Sequence, residues 1–367
     1  MRSTDRVMTV MARGGRPRAL VGAVACMLVL AACGAAAPST DATMASAAAS
    51  AAPVDTHAST SSLTGLHGVT LRGAAAVDGG VLAVGSDADG AAAWTSRDGV
   101  AWEPAEVVDA DAAPSLVAVA FAGSGLAFGG DDLGTSPMWT SADGVSWQPA
   151  EGGKAGVDGR VNAVVADGDG WIAVGDIVDD ETGEAFRGAI WTSSDGRSWE
   201  VAKEVSLNEG TVSDVAVAGD TAVVVGFDVA GGRVWTSTGG GDYHAVPGKT
   251  FAVATIQGVA TVDGGFVALG RRLDDLRPVA WTSPDGMTWT REDIAADTFA
   301  QEDEIHDLAT VDDHVVAVGT TATGAGVWTS QDGRSWSGGS RSASCARSDS
   351  GHGWCRRRSC SSRPSSR

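Results

Sequence analysis

Two aspartates are the residues of this chain best placed for acid–base chemistry. Asp214 and Asp307 occupy the same position in two similar apolar segments, 212–215 and 305–308. Two carboxyl groups about 5–10 Å apart are the minimum for acid–base cleavage of a glycosidic bond. Asp214 and Asp307 are therefore the candidate catalytic pair, provided that the fold brings their segments this close together.

The residues that precede these aspartates form a second candidate set, for ligand binding. Six similar segments can be aligned on the turns that follow them, and one aligned position holds Arg72, Val117, Asn162, Ser213, Gln257 and His306. The next aligned position holds Gly73, Ala118, Ala163, Asp214, Gly258 and Asp307. The residues at the first of these positions are mostly polar and differ between segments, whereas the rest of each segment is mainly apolar. We therefore predict that this position lies at the mouth of a channel, and that its binding residues are Arg72, Asn162, Ser213, Gln257 and His306.

These segments belong to an internal repeat that must position them. A Trp-Thr-Ser phrase, followed by a turn and a second aromatic residue, occurs six times, with its first Trp at positions 94, 139, 191, 235, 281 and 328. A period of about 45 residues, filled with short apolar runs and Gly/Asp turns, is typical of radially repeated four-stranded units. We therefore predict an all-β propeller.

The third repeat shows four predicted strands in one unit. Apolar runs at 161–165 and 171–175 flank an Asp-Gly turn, and runs at 189–192 and 197–200 flank a second turn. Runs of this length bounded by Gly and Asp predict antiparallel strands joined by hairpins. Six such units over residues 63–338 predict a propeller of six four-stranded antiparallel blades; a seven-bladed ring with an incomplete last blade is the alternative.

The second turn of each repeat resembles a known family. The string Ser96-Arg97-Asp98-Gly99-Val100-Ala101-Trp102 is similar to the Asp-box, or BNR repeat, of sialidase-like propellers, although Asp and Gly are adjacent here, whereas the family has one residue between them. The resemblance implies structural turns, away from the ligand-binding face, at Asp98, Asp143, Asp195, Asp285 and Asp332. Repeat 4 departs from the pattern, because Gly239 occupies the Asp position and Tyr243 replaces the second Trp.

Sialidase activity does not follow from this resemblance. Membership of the sialidase family would imply a Tyr nucleophile, an Asp acid/base and three Arg that bind the substrate carboxylate. It would also imply a Phe/Tyr-Arg-Ile-Pro motif. The single tyrosine, Tyr243, stands at an aromatic turn position, and the nearest string to that motif, residues 186–189, does not match it.

The N-terminus predicts export and lipid anchoring. Residues 1–18 carry five Arg and one acid, and residues 19–32 form an apolar run that is too short to span a membrane. The string Leu30-Ala31-Ala32-Cys33-Gly34 resembles a bacterial lipobox, which implies a signal peptide at 1–32 and lipidation of Cys33. The alternative is an ordinary signal peptide that happens to contain Cys33.

Two further segments differ from the repeats in composition. Residues 33–62 are rich in Ala, Ser and Thr, which predicts a flexible tether of roughly 30 Å reach. Residues 339–367 contain ten Ser and seven Arg but no Val, Ile, Leu or Phe, so they cannot build a blade. This tail is interpreted as a disordered basic segment or as the product of a shifted reading frame.

Charge narrows the range of partners. The net charge of the chain is −20, and because segments 1–32 and 339–367 contribute +4 and +6, segment 33–338 carries −30. Such a field repels nucleic acid. No spacing matches a zinc set, an EF-hand loop or a phosphate-binding glycine loop, so we expect neither a metal nor a cofactor.

Two functional hypotheses remain. We favour a monomeric, non-enzymatic lipoprotein on the outer side of the bacterial cell membrane, whose channel mouth binds a glycan, a peptide or a partner protein. The alternative is a glycoside hydrolase or lyase that uses Asp214 and Asp307 at the mouth.

The anchor is tested by the substitution Cys33→Ser. We expect this variant to leave the membrane fraction or to accumulate as unprocessed precursor, because several acyl chains on one terminus give durable membrane attachment and none would be added. Fractionation of cells followed by immunoblotting measures this. Membrane retention of correctly processed variant would show that Cys33 is not the attachment point.

Overall fold

The described residues form one β-rich body. The computed structural model describes residues 63–130, 136–150, 159–178, 185–205, 210–295 and 298–338. All of these described residues belong to one compact unit. The predicted signal peptide, the whole tether with Cys33, and the tail lie outside the described residues. No helix in the described ranges is long and apolar enough to cross a membrane.

Each sequence repeat contributes four strands. Repeat 1 has β1 (Thr70–Val77), β2 (Gly80–Ser86), β3 (Ala91–Ser96) and β4 (Glu103–Val107), followed by a short 3-10 helix at Ala110–Ala112. Repeat 2 has β5 (Ser115–Phe121), β6 (Gly125–Gly130), β7 (Met138–Ser141) and β8 (Ser146–Pro149). Repeat 3 has β9 (Arg160–Asp167), β10 (Gly170–Val178), β11 (Ala185–Ser193) and β12 (Glu200–Val205).

The second half follows the same plan. Repeat 4 has β13 (Thr211–Ala218), β14 (Thr221–Asp228), β15 (Gly231–Thr238) and β16 (His244–Ala245). Repeat 5 has β17 (Ala254–Val262), β18 (Gly265–Arg272), β19 (Pro278–Ser283) and β20 (Thr290–Glu292). Repeat 6 has β21 (Glu304–Val311), β22 (His314–Thr321), β23 (Gly324–Ser330) and β24 (Ser337–Gly338).

The arrangement is a β-propeller, but its sheets are not six or seven separate blades. Within the described ranges there are four four-stranded sheets and one eight-stranded sheet. The eight-stranded sheet arises because β4 pairs with β8 in parallel, at Glu106↔Ser146 and Val107↔Trp147. This pairing between outer strands fuses repeats 1 and 2, which corrects the prediction of separate four-stranded blades.

The first strands of the repeats surround the centre. Each contacts the first strand of the next repeat, in the order β1, β5, β9, β13, β17, β21 and back to β1. These inner strands all start at the connections between repeats, and the chain reverses at each hairpin. We call the side of the ring that carries these connections the connection face. Every inner strand starts on this face, whereas the turns with Asp98 and its equivalents lie on the opposite face.

The core lies between repeats. Six apolar clusters are present among the described residues, and each joins two neighbouring repeats, including repeats 6 and 1. The twelve aromatic residues of the repeated phrase are all buried. Each large ring buries ~150–250 Å², which contributes roughly 4–6 kcal/mol before entropy is subtracted.

The Asp turns are stabilised by their own side chains. Ser96 Oγ donates to the Asp98 carboxylate over 3.1 Å, and the backbone N–H groups of Val100 and Ala101 donate to the same oxygen over 2.8 Å. The bond from Ala101, followed by the bond from Val100, lowers the pKa of Asp98. Repeat 4 lacks this carboxylate, and two consecutive glycines there adopt left-handed φ values of 62° and 68°.

Every inner strand contains a β-bulge at the same place. In β13, Val212 pairs with Gly226 and Asp214 pairs with Val225, so Ser213 has no partner on β14. The equivalent bulged residues are Arg72, Val117, Asn162, Gln257 and His306. A bulge turns one side chain away from the regular alternation, and bulges are frequent at the rims of barrels and beside active sites.

A glycine on the second strand makes room for the bulge. In five of the repeats, a Cβ at this glycine would lie 1.8–2.3 Å from a carbonyl oxygen of the inner strand. Gly226 is one of them, at 2.3 Å from the Thr211 oxygen. A side chain cannot fit so close to a backbone atom, which explains why glycine stands there.

The substitution Gly226→Ala tests this packing. We expect it to lower the free energy of unfolding by about 3 kcal/mol, since the inner strand must move to accept the methyl group. Chemical denaturation provides the measurement. The control is Gly241→Ala in the same repeat, where the nearest atom to the new Cβ is 3.2 Å away. Equal effects of the two substitutions would contradict the proposed role of Gly226.

Candidate functional site

The bulged residues line one cavity on the connection face. This cavity of about 400 Å³ is bordered by Arg72, Val117, Asn162, Ser213, Gln257 and His306, together with Arg271, Glu304 and Ile305. The structure thus brings all five sequence-predicted binding residues together. We call this cavity the mouth.

Three polar groups at the mouth have no protein partner. The side chain of Arg72 is exposed and makes no hydrogen bond or ion pair with any described residue. Ser213 Oγ and Gln257 Oε1 are buried atoms that also lack a hydrogen-bond partner among the described residues. Buried polar atoms are nearly always satisfied in folded proteins, and an exception calls for a water, an ion or a ligand.

Asn162, in contrast, is fully engaged between repeats 3 and 4. Its Nδ2 donates to Asp176 Oδ2 over 2.9 Å, to Thr211 Oγ1 over 3.0 Å and to the Val212 carbonyl over 2.8 Å. Burial raises the pKa of Asp176, although the hydrogen bonds from Thr211 and Asn162 oppose this shift. Asn162 therefore holds two repeats together as well as facing the mouth.

His306 links repeat 6 to repeat 1. Its Nδ1 lies 2.6 Å from the Leu71 carbonyl, so this nitrogen carries the proton and donates it. Its Nε2 lies 3.7 Å from Glu304. Burial, and to a smaller degree the charge of Arg72, lowers the pKa of His306, which favours the neutral ring at neutral pH.

Arg271 is a mouth residue that the aligned column does not contain. Its Nη1 lies 3.3 Å from Glu304, Nη2 donates to the Gln301 carbonyl over 2.9 Å, and Nε donates to the Leu276 carbonyl over 3.2 Å. Arg271 lies on β18, the second strand of its repeat, so alignment of the inner strands could not find it.

Asp214 and Asp307 lie one residue deeper than expected. They do not line the mouth; both border a second cavity of about 190 Å³ further along the channel, walled mainly by Ala and Val. Asp214 accepts backbone N–H bonds from Val215 and Val259, at 2.6 and 2.7 Å. Asp307 accepts them from Leu308 and Ala74, at 2.8 and 2.7 Å.

The two carboxyl groups also interact with each other. Burial raises the pKa of Asp307 to about 7. Burial, and after it the charge of Asp307, raises the pKa of Asp214 well above its usual range. Sequence repeats 4 and 6 are not neighbours, yet the channel is narrow enough for these side chains to meet.

The remaining candidates are distant from the mouth. The carboxylates of Asp98, Asp143, Asp195, Asp285 and Asp332 lie in the turns of the opposite face. Tyr243 is buried, which raises its pKa to about 12, with a smaller contribution from the charge of Asp167. No group of three or more His, Cys, Asp or Glu in the described part of the chain could hold a metal ion.

Comparisons with known proteins show the fold. No protein-family model matches the sequence, and no curated protein matches it. Solved structures do match it. The SapL1 lectin has a TM-score of 0.52 at 12% identity, over 74% of this chain and 94% of its own. The aldose sugar dehydrogenase of Streptomyces coelicolor has a TM-score of 0.50 at 13% identity, over 73% and 95%.

A sialidase is also among the structural matches. The enzyme of Trypanosoma rangeli has a TM-score of 0.48 at 14% identity, over 71% of this chain and 54% of its own. The present chain spans about half the length of several chains that it matches. Because identity is low throughout, the likenesses to the lectin and the dehydrogenase support the fold and no particular activity.

Because Asn162 hydrogen-bonds to repeat 4, the substitution Asn162→Ala should lower the stability of the fold. A polar residue that only faces the mouth would be nearly neutral to stability, but Asn162→Ala removes one of the three donors to the buried carboxylate of Asp176 and leaves only Thr211 and Val212. We expect a loss of about 1–3 kcal/mol in the free energy of unfolding, measured by chemical denaturation. Arg72→Ala, which breaks no contact, should change it by less than about 0.5 kcal/mol. Similar values for both variants would contradict this distinction.

Proposed function

We propose that this protein is a non-enzymatic binding protein whose mouth holds a glycan. The observation that carries this proposal is the convergence of six bulged residues on one cavity, where Arg72, Ser213 and Gln257 keep uncommitted polar groups. Every inner strand has a bulge at the same level, and bulges of this kind redirect side chains toward functional sites, here toward the mouth.

The chemistry of these groups fits hydroxyl-rich ligands. The Gln257 oxygen needs a donor, the Arg72 guanidinium needs an acceptor, and Ser213 can serve as either. A sugar hydroxyl donates and accepts at once, so adjacent hydroxyls can satisfy all three groups. The structurally similar SapL1 lectin is in complex with alpha methyl fucoside, which is compatible with a sugar ligand here. A peptide or a partner protein is the other ligand class.

Glycoside hydrolysis or lysis is the alternative function. The raised pKa values of Asp214 and Asp307 favour it, because shifted carboxyls mark many acid–base sites. Against it, neither carboxyl lines the mouth; both border the smaller cavity beneath it, which is walled mainly by Ala and Val. All four of their oxygens also accept backbone N–H bonds.

The cellular setting is part of the proposal. The Cys33 motif supports lipid attachment on the outer side of the bacterial membrane, with residues 33–62 as the tether of a monomer. We also propose that the ring be counted as six blades, since each repeat supplies four strands and the fused sheet contains two such sets. The turn sequences support membership of the Asp-box propellers.

A glycan and cell-wall array tests the binding proposal. The full chain, purified in detergent, should bind at least one glycan, and Arg72→Ala and Gln257→Ala should each weaken that binding by about tenfold, the loss of one or two good hydrogen bonds. The control is Arg97→Ala, which removes the same charge from the opposite face. Hydrolysis of the bound glycan would favour the enzyme instead. Absence of glycan binding, or equal binding by Arg72→Ala and Arg97→Ala, would refute the proposal.

A further inference from the structure

We infer that Asp214 and Asp307 together bind a proton. The protonated pair helps to hold the ring of inner strands closed, and loss of the proton weakens that closure. This inference concerns the channel below the mouth and does not depend on any ligand. It assigns a role to two buried groups that a binding function leaves unused.

The first step is the way in which each carboxyl spans two repeats. Asp214, on β13, accepts the N–H of Val259 on β17. Asp307, on β21, accepts the N–H of Ala74 on β1. Neighbouring inner strands share no backbone ladder, because each belongs to a different sheet or to the opposite edge of the fused sheet. These two side chains therefore supply inter-strand hydrogen bonds that the backbone does not.

The second step is the place of Asp307 in ring closure. The chain closes where repeat 6 meets repeat 1, and no described strand of one repeat pairs with a strand of the other. Two hydrogen bonds cross this junction within the described residues, from Ala74 N–H to Asp307 and from His306 to the Leu71 carbonyl. Apolar packing completes the contact. Asp307 thus provides one of the two directional bonds that hold the ends together.

The third step is the shared proton. Asp214 and Asp307 border one small cavity walled mainly by Ala and Val, where two ionised carboxylates would repel each other with little water to screen them, so the pair favours keeping one proton. Asp214 is buried and Asp307 is half-buried against the cavity wall, which penalises the doubly ionised pair. Burial raises the pKa of Asp307 to about 7, and the charge of Asp307 adds to burial in raising that of Asp214. The two groups titrate as a pair.

Other charged groups do not replace this proton. The strand β17, which packs against both β13 and β21, has no charged residue, and neither does β5. The charged residues of the other neighbouring strands lie near strand ends or in the mouth layer: Arg72 on β1, Arg160 and Asp167 on β9, Asp176 on β10, Arg187 on β11, Asp228 on β14, Arg271 and Arg272 on β18, Glu304 and His306 on β21, and His314 on β22.

The sign of the pH effect follows from linkage. An aspartate titrates near 3.8 in the unfolded chain, so between about pH 4 and 7 the folded protein binds the proton more tightly. Stability is therefore greatest in acid and is lost as pH rises toward and past 7. His306 works in the opposite direction, because its lowered pKa stabilises the fold as pH rises. Burial also raises the pKa values of Asp176 and Asp303, which act in the same direction as the pair, so the part of the loss that disappears on substitution of Asp307 identifies the aspartate pair.

Thermal unfolding of the full chain in detergent, from about pH 5 to about pH 8.5, tests the inference. We expect the melting temperature to fall by about 5 °C or more across this range. Asp307→Asn should remove most of the fall, because the amide has no titrating proton, while it lowers the melting temperature at every pH, because only one of the two backbone N–H groups that Asp307 accepts keeps its acceptor. The control Asp98→Asn, in an exposed turn, should keep the full pH dependence.

Two results would overturn the inference: a flat wild-type profile, or an unchanged fall in Asp307→Asn. Asp214→Asn provides the reciprocal test if Asp307→Asn does not fold. Infrared spectra of the wild type at about pH 6 give a third, independent readout, because a carboxyl that keeps its proton well above the usual aspartate range gives a protonated C=O band. Absence of that band would also refute the shared proton.

Discussion

Packing between neighbouring repeats is the interaction on which the whole structure depends. Every apolar cluster of the described chain draws its members from two adjacent repeats, and none is confined to a single one. A four-stranded sheet exposes two faces, so a repeat without both neighbours would leave Trp and Val side chains in water. The ring is therefore stable only when closed. Repeats 6 and 1 are far apart in the sequence, yet their contact is as necessary for stability as the contacts between consecutive repeats.

Polar side chains refine this packing differently at each junction. Repeats 1 and 2 are joined by outer-strand pairing, repeats 2 and 3 by Ser136, and repeats 3 and 4 by the network around Asp176. Repeats 5 and 6 are joined by Thr310, whose hydroxyl donates to the Thr261 carbonyl and accepts its N–H. Asp214 and Asp307 serve the two remaining junctions. Because inner strands lack mutual backbone bonds, side chains at this level carry the directional contacts, and directional contacts fix one arrangement more sharply than apolar packing does.

The sequence predicts those features that recur with the repeat, and the fold agrees with it there. Strand positions, the buried Trp residues and the polar column around Ser213 all follow from a pattern copied six times. The fusion of β4 with β8 could not be predicted, because it depends on where two short outer strands happen to meet. Arg271 and Asp176 were missed because they lie on second strands, outside the aligned column. Asp214 and Asp307 were proposed as a pair, but the sequence could not show that one cavity brings them together, because repeats 4 and 6 are not adjacent in the chain.

The bulge explains why the mouth and the aspartate pair lie in successive layers. In a regular strand, consecutive side chains point to opposite faces, so Ser213 and Asp214 could not both face the channel. The extra residue breaks this alternation: Ser213 borders the mouth and Asp214 the cavity beneath it, and His306 and Asp307 repeat the arrangement. The glycines opposite the bulges make this geometry possible, as at Gly226. One backbone irregularity, repeated around the ring, thus supplies a variable polar layer for recognition and, directly beneath it, a layer whose carboxyl groups bind the strands together.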